Sequence, residues 1–301
     1  MEILVTGATG LLGSELCRRL NGSHHLTGWA RGIPSPVSGQ RLESVDLIEA
    51  ASVQRGLDRL RPGLVIHAAA MTDVDACERD PLAAHRMNAE ATGVLAAACS
   101  AANAVLLAVS TDYVFDGQSD QPYRETDAPR PVSVYGASKL EGERLALERA
   151  SRVMVLRVSG LFGPARKNFV RATAERFLAG ETVPAVTDQR ISPSYTVDLA
   201  EGIARLVGLL ERFPEAAMGG GSLHGIFHLA NRGCASRVRV AEEIARIVGK
   251  PASLIRKTSW AELGLPARRP AQSCLDTSRF SKNVGEGLRP WEEAVRTFLS
   301  S

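Results

Sequence analysis

The chain has little of several residue types, and each shortage argues against a class of protein. Aromatic residues make up only 5% of the 301 residues, and the formal net charge is only +3. No stripe of lysine and arginine is interleaved with aromatic side chains, so nothing indicates a nucleic-acid partner. The remaining composition, 45% hydrophobic and 23% charged, is that of an ordinary globular protein.

Cysteine is scarce too, and the few cysteines are scattered. Their number is odd and no two form a Cys-x-x-Cys pair. We therefore expect no disulfide framework, no zinc site and no other metal site, and we expect a reducing compartment. The five cysteines are Cys17, Cys77, Cys99, Cys234 and Cys274.

Neither a targeting segment nor a membrane span is evident. The opening "MEILVTGATG" has no basic region before its apolar run, unlike a signal peptide. The most apolar stretch, residues 94–109, is broken by Ser100 and Asn103, which favours a helix followed by a strand over a membrane span. A cytoplasmic protein without a membrane partner is the expectation.

The first half of the chain alternates short β-rich runs with longer helical patterns. "EILVTG", "HHLTGWA", "RLESVDL", "GLVIHAAA", "AVLLAVSTDYVF" and "VMVLRVSG" read as strands, and "GLVIHAAA" is apolar enough to be buried on both faces. Helical patterns separate them, including a long one over residues 81–102 and another from Ser138 to about Ala150. This alternation predicts an α/β fold with a doubly wound parallel sheet.

Between the first strand and the first helix lies a glycine loop, Gly7-Ala8-Thr9-Gly10-Leu11-Leu12-Gly13. In an α/β fold this turn binds a pyrophosphate, because backbone N–H groups and the helix dipole favour an anion there. We therefore predict a Rossmann-type dinucleotide site with contacts from Gly7, Thr9, Gly10, Leu11, Leu12 and Gly13. A tight turn without a ligand is the alternative.

Residues at the ends of the next strands point to the cofactor. The second strand ends at "GWAR", with Arg31 at the position where NAD-selective proteins carry an acidic residue that binds the ribose. An arginine there accommodates the 2′-phosphate of NADP instead. NADPH is therefore the predicted cofactor, and NADH is the alternative. Asp46 is a candidate partner of the adenine amino group, or else a helix cap. Ala68, Ala69 and Ala70 are small enough for the cofactor to lie against them, or for close helix–sheet packing.

After about Ser159 the alternation loosens, although "IFHLAN" still reads as a strand. We expect residues 1–158 to form the NAD(P)-binding Rossmann core. Residues 159–301 would form a smaller substrate-binding lobe, with a segment of about 186–230 returning to the core.

Tyrosine and lysine are both rare, yet Tyr135 and Lys139 lie four residues apart in "VYGASKLEGE". At that spacing both side chains lie on one face of a helix. An adjacent ammonium lowers the pKa of a phenol, which suits acid–base catalysis. The pair therefore predicts a catalytic tyrosine supported by Lys139, which would also hold the nicotinamide ribose.

Together, G-x-x-G-x-x-G, a hydroxyl at a strand end and Tyr-x-x-x-Lys resemble the extended short-chain dehydrogenase/reductase superfamily. "STDYVFDG", followed 24 residues after its threonine by "YGASKLEGE", resembles the dTDP-4-dehydrorhamnose reductase family more specifically. "MNAEAT", with Asn88, and "PARRPAQSCLDTSRF" extend the likeness over nearly the whole chain. The resemblance implies Thr111 as the catalytic hydroxyl, and it implies substrate contacts from Asp112, Tyr113, Asn168, Arg268 and Arg269.

Two departures from the family pattern point to a related substrate. Gly160 stands where the family commonly has an aromatic residue, and "DQRISPS" lacks a family glycine. The resemblance implies an NADPH-dependent reductase of the 4-keto group of a nucleotide-linked 6-deoxyhexose. A homodimer is the candidate assembly. The alternatives are a nucleotide-sugar epimerase or dehydratase, and a non-catalytic NADP-binding subunit like the regulatory subunit of methionine adenosyltransferase.

Overall fold

The computed structural model describes residues 1–32 and 41–301, which fold around a parallel β-sheet. The strands of the chain are β1 (Glu2–Thr6), β2 (His25–Ala30), β3 (Arg41–Ser44), β4 (Leu64–His67), β5 (Val105–Thr111), β6 (Val153–Val158), β7 (Leu161–Phe162), β8 (Val183–Val186), β9 (Arg190–Ile191), β10 (Ser194–Tyr195), β11 (Gly225–His228), β12 (Ala235–Ser236) and β13 (Ile255–Thr258).

The described residues form a main sheet of seven strands in the order β11-β6-β5-β4-β1-β2-β3, and every neighbouring pair is parallel. The order reverses at β1, whose neighbours are β2 and β4. In open α/β sheets a ligand binds where the order reverses, outside the carboxyl ends of the strands. The predicted doubly wound Rossmann fold is confirmed.

Helices cover both faces of the sheet. The α-helices are α1 (Gly13–Leu20), α2 (Ala50–Leu60), α3 (Val74–Arg79), α4 (Pro81–His85), α5 (Ala91–Ala101), α6 (Val134–Arg149), α7 (Phe169–Leu178), α8 (Thr196–Arg212), α9 (Arg237–Ile247), α10 (Trp260–Leu263), α11 (Ser278–Val284) and α12 (Trp291–Ser300). One apolar core joins α1 and α8 to the sheet, and a second joins α2, α5 and α6 to its other face. Burial on both faces explains why the central strands are continuous apolar runs.

The second half of the chain contributes to two places. A separate apolar core gathers Phe162, Phe177, Ile244 and Trp291 from α7, α9, α12 and the neighbouring short strands. In contrast, β11 extends the main sheet and α8 packs against it beside α1, and both lie within residues 186–230. The division into a core and a smaller lobe stays a prediction.

Two helices differ from the sequence-based expectation. The pattern over residues 81–102 is not one helix, because a π-helical turn over Arg86–Glu90 separates α4 from α5. Helix α6 begins at Val134 and not at Ser138, because the Ser133 side chain caps it by accepting a hydrogen bond from the Gly136 N–H at 3.2 Å. Tyr135 therefore lies in the first turn of α6.

One expectation about the cysteines is wrong. Cys234 and Cys274, with their Cα atoms 5.5 Å apart, form a disulfide. They are 40 residues apart in sequence, so only the tertiary structure brings them together. The other cysteines are buried thiols. Within the described ranges, no helix is both long and apolar enough to span a bilayer.

Candidate active site

The glycine loop follows β1 and leaves no room for side chains at two of its glycines. A Cβ atom on Gly13 would lie 2.1 Å from the Gly7 carbonyl oxygen. A Cβ on Gly7, which also has a φ of +67°, would lie 2.7 Å from the Ala69 nitrogen. The loop thus folds tightly against the end of β4, as the sequence pattern predicts.

This arrangement fits the pyrophosphate of a dinucleotide. Thr9, Gly10 and Leu11 are partly exposed at the start of α1, whereas Leu12 and Gly13 are buried beneath them. Ala68, Ala69 and Ala70 are partly exposed beside the loop. From the second half of the chain, Arg166 donates from Nε to the Thr9 carbonyl at 3.0 Å. Sequence reasoning missed Arg166, because nothing in its local pattern links it to a loop 157 residues earlier.

The two other predicted cofactor residues lie at the same edge of the sheet. Arg31 directly follows β2 and is exposed. Asp46 is exposed and accepts a hydrogen bond from the Ile48 N–H at 3.0 Å. Helix α2 begins at Ala50 with Glu49 before it, so Asp46 is not its cap. Both side chains are accessible to an adenosine ribose and base.

Tyr135, Lys139 and Thr111 lie together where α6 crosses the end of β5. Thr111 is the last residue of β5, and its hydroxyl is close enough to the Tyr135 phenol to lower the pKa of that phenol. The Lys139 Nζ donates to the Val109 carbonyl of the same strand at 2.8 Å. All three side chains are nearly buried, with 5 to 9% exposed.

Burial, and not Lys139, dominates the ionisation of Tyr135. Removal from water raises the pKa of Tyr135 far above its ordinary value, and the nearby Asp112 and Tyr113 raise it further. The expected lowering of this pKa by Lys139 stays a prediction. A phenol that keeps its proton at neutral pH suits a reduction, because Tyr135 has to supply a proton to the substrate oxygen. Burial likewise lowers the pKa of Lys139 to about 8.

Asp112 is a buried anchor and not an exposed substrate contact. Its side chain accepts hydrogen bonds from the hydroxyls of Thr111 at 3.1 Å, Ser159 at 2.7 Å and Ser273 at 2.5 Å. Only 2% of the residue is exposed, and burial raises its pKa. Asp112 thus joins the ends of β5 and β6 to the C-terminal loop. The Thr111 hydroxyl has to rotate away from Asp112 before it can donate to a substrate.

Asn88 connects the π-helical turn to the catalytic helix. Its side chain accepts from the Met71 N–H at 2.8 Å and donates to the Met71 carbonyl and to Ser138, each at 3.0 Å. π-Helical turns are frequent at functional sites. Here the turn brings Asn88 against α6, one residue from Lys139.

Ser110, the residue before Thr111, makes a buried contact of its own. Its hydroxyl donates to Glu143 at 2.5 Å, and Glu143 in turn forms a buried ion pair with Arg157. These three side chains link β5, α6 and β6 directly behind the site.

Three residues predicted to bind substrate have other or no partners. Arg269 forms two hydrogen bonds with Asp75, at 2.6 and 3.0 Å, so the guanidinium that we expected to contact the substrate is occupied by a carboxylate. Asn168 caps α7 and donates to the Gly163 and Arg166 carbonyls, which makes it a loop-holding residue. Arg268 is exposed, and no described residue forms an ion pair with it.

Tyr113 does lie beside the catalytic tyrosine. Its ring meets the Tyr135 ring edge to face, with the centroids 5.7 Å apart, and its hydroxyl accepts a hydrogen bond from Gln189 at 3.3 Å. Gln189 also accepts from Arg237 Nε at 3.0 Å. Sequence reasoning did not single out Arg237, since its partner Gln189 lies just before β9, 48 residues earlier in the sequence.

The two departures from the family pattern meet in space. Gly160 has a φ of +55°, and a Cβ there would lie 2.8 Å from Ile191 Cδ1 and 3.2 Å from the Ser192 carbonyl oxygen. Ile191 and Ser192 belong to the segment "DQRISPS", in which the family glycine is missing. An aromatic residue at position 160 is therefore sterically excluded.

The sheet is doubly wound, a glycine loop follows β1, and a Thr–Tyr–Lys set lies at the end of β5. These features together define a nucleotide-dependent oxidoreductase of the short-chain type. Residues 1–301 match the family model described as the RmlD substrate binding domain. The chain belongs to the dTDP-4-dehydrorhamnose reductase family.

Individual relatives agree with this assignment. A dTDP-4-dehydrorhamnose reductase from Streptomyces griseus is 36% identical, over 97% of this chain and 91% of that protein. A probable dTDP-4,6-dihydroxy-2-methyloxan-3-one 4-ketoreductase from Streptomyces antibioticus is also 36% identical, over 98% and 94%. The crystal structure of dTDP-4-dehydrorhamnose reductase from Bacillus anthracis in complex with NADP superposes with a TM-score of 0.86 at 29% identity, covering 99% of this chain and 98% of that chain.

Proposed function

We propose that this protein is an NADPH-dependent reductase of the 4-keto group of a dTDP-linked 6-deoxyhexose. The observation that carries the proposal is the position of the buried Tyr135 phenol near the Thr111 hydroxyl at the carboxyl edge of the sheet, where the glycine loop also lies. The two relatives named above act, by their names, on dTDP-sugars, which supports the choice of substrate.

Each of the site residues has its own role in this reaction. NADPH, when bound, supplies the hydride that goes to C4 of the sugar. Gly7, Gly10 and Gly13 would hold its pyrophosphate at the start of α1, and Arg31 would bind its 2′-phosphate. Tyr135 transfers its proton to the ketone oxygen as the carbonyl carbon is reduced to an alcohol. Thr111 donates a hydrogen bond to that oxygen, which stabilises the negative charge developing on it.

Lys139 then restores the proton balance. The phenolate formed on Tyr135 is costly in a buried site, and a nearby ammonium lowers that cost. Because burial has already lowered the pKa of Lys139 to about 8, the ammonium can lose a proton near neutral pH. We propose that, when the cofactor is bound, Lys139 donates a hydrogen bond to its ribose instead of to the Val109 carbonyl.

The test follows NADPH absorbance with purified protein and dTDP-linked 4-keto-6-deoxyhexoses, for the wild type, Tyr135→Phe and Tyr195→Phe. Tyr195 is a buried tyrosine of the aromatic cluster with Phe162, away from the site. We expect Tyr135→Phe to lower kcat by about 100-fold or more and to keep NADPH affinity, and Tyr195→Phe to keep both. Wild-type turnover without net NADPH consumption would indicate an epimerase or dehydratase. NADPH binding without turnover on any keto-sugar would favour the regulatory-subunit alternative.

Compartment and assembly belong to the proposal as well. We propose a cytoplasmic protein that acts as a homodimer on a soluble nucleotide-sugar. Disulfides are rare in a reducing compartment, so the redox state of Cys234 and Cys274 in the cell is the test of the cytoplasmic proposal. Mass spectrometry of protein alkylated at lysis under denaturing conditions, without reductant, decides the point: alkylation of all five cysteines supports the cytoplasm, and unmodified Cys234 and Cys274 contradict it.

A further inference from the structure

Arg237 places a guanidinium near Tyr113, the residue whose ring contacts the catalytic Tyr135. It is the first residue of α9, and its Nε donates to the Gln189 Oε1 at 3.0 Å. Gln189 Nε2 in turn donates to the Tyr113 hydroxyl at 3.3 Å. Since the Tyr113 ring contacts Tyr135, two hydrogen bonds and one ring contact connect Arg237 to the proton donor.

The orientation of Arg237 is held from a second side. The guanidinium carbon lies 4.5 Å from the centre of the Phe169 ring, at the start of α7. Stacking on an aromatic ring and a hydrogen bond to Nε together fix the plane of a guanidinium. The two Nη groups are left over, and neither forms a hydrogen bond with a residue in the described parts of the chain.

The charge of Arg237 is not balanced by a carboxylate. Within residues 1–32 and 41–301, no acidic side chain lies at ion-pair distance from it. Arg269 is also near Tyr113, since both arginines lower the pKa of Tyr113, but Asp75 neutralises Arg269. Asp112, the carboxylate that also acts on Arg237, is buried among three hydroxyls.

A half-buried cation without a carboxylate partner is costly, and removal from water lowers the pKa of Arg237. An anion that arrives with the substrate would remove that cost. A nucleotide-sugar carries its diphosphate on the anomeric carbon, across the sugar ring from the C4 ketone that meets Tyr135. The planar arrangement of two Nη groups matches two phosphate oxygens.

We propose that Arg237 binds the diphosphate of the nucleotide-sugar, that Gln189 and Phe169 hold it in position, and that Arg268 and Arg269 do not have this role. The inference rests on the proposed function for the identity of the substrate. The site itself requires only a nucleoside diphosphate group.

The experiment measures binding and does not depend on turnover. Calorimetry compares dTDP with thymidine, which lacks the phosphates, on the NADPH-bound protein. The variants are Arg237→Gln, which removes the charge, and Arg237→Lys, which keeps the charge without the planar guanidinium. The matched control is Arg239→Gln, in the same helical turn, whose side chain is exposed and pairs with Glu242. Arg268→Gln tests the rival site. Thermal unfolding and NADPH affinity verify that each variant is folded.

We expect Arg237→Gln to weaken dTDP binding by about 10- to 100-fold and to leave thymidine binding unchanged, with Arg237→Lys in between. Arg239→Gln and Arg268→Gln should match the wild type. A folded Arg237→Gln variant that binds dTDP within about threefold of the wild type would overturn the inference, as would an equal loss for thymidine.

The same measurement separates this inference from the proposed function. If the wild type binds dTDP through Arg237 but reduces no keto-sugar, the diphosphate site stands and the proposed reaction is wrong. If UDP or GDP replaces dTDP with the same dependence on Arg237, only the proposed base is wrong. If the wild type binds no nucleoside diphosphate, both the inference and the proposed function are wrong.

Discussion

Arg269 and Asp75 connect the C-terminal loop to helix α3 through two hydrogen bonds, with nitrogen–oxygen distances of 2.6 and 3.0 Å. The Trp260 ring lies 4.5 Å below the guanidinium, and only 7% of the Arg269 side chain is exposed. The two neighbouring arginines of "ARRP" thus have different environments: Arg269 is paired with Asp75, whereas Arg268 is exposed.

The first prediction concerns this ion pair. Arg269→Gln and Asp75→Asn should each lower the free energy of unfolding by about 2 kcal/mol, because each leaves a partly buried polar group without its partner. The double variant should lose clearly less than the sum. Urea denaturation of the four proteins measures this coupling, and strictly additive losses would contradict it.

The pair also predicts a pH dependence. Arg269 holds the pKa of Asp75 below its ordinary value of 3.8, so the unfolded chain binds the proton more readily. The stabilisation that the ion pair gives to the folded state is therefore complete at pH values above 3.8, and it is lost as the pH falls through the lowered pKa of Asp75. The stability difference between the wild type and Asp75→Asn should shrink on acidification, and a constant difference would contradict the assignment.

The second prediction concerns Lys139. Folding lowers its pKa from 10.5 to about 8, so the unfolded chain binds more protons between these values. The cost of the buried ammonium is complete below pH 8 and disappears as pH rises to 10.5. Lys139→Met should therefore abolish turnover yet raise stability at neutral pH by about 3 kcal/mol. Urea denaturation should show that the extra stability of Lys139→Met over the wild type declines between pH 8 and pH 10.5. Extra stability that does not change with pH would contradict the prediction.

The third prediction compares two glycines. Gly13→Ala should weaken NADPH binding and cost about 1–3 kcal/mol of stability, because its Cβ would meet the Gly7 backbone at 2.1 Å. Gly208→Ala in α8 meets no atom within 4 Å and should stabilise by up to about 1 kcal/mol. Thermal unfolding and NADPH titration of both variants check this, and unaltered NADPH affinity in Gly13→Ala would exclude a cofactor role for the loop.

The fourth prediction concerns cofactor choice. Arg31→Ala should raise KM for NADPH by about 10-fold or more, because a charged hydrogen bond to the 2′-phosphate is lost, and should leave KM for NADH unchanged. Arg55→Ala, which removes an exposed arginine of α2, is the control. Steady-state kinetics with both cofactors measure the effect; a wild type that prefers NADH would show that Arg31 is a surface residue only.

Much of this molecule follows from local pattern. Strands buried on both faces have to be continuous apolar runs, and helices have to repeat every three to four residues, so the order of elements and the parallel sheet could be predicted. The glycine loop and the Tyr135–Lys139 pair could be predicted for the same reason, because their geometry depends on spacing within one turn or one helix.

The tertiary structure decided which polar groups are still available for a ligand. Asp112 and Arg269 have the residue types of substrate contacts, but Ser273 and Asp75, far away in sequence, already occupy them. Arg237 has an unremarkable sequence context, yet no carboxylate of the described residues forms an ion pair with it near Tyr113. A charge is free to bind substrate only when no distant segment neutralises it, and that depends on how the folded chain brings the segments together.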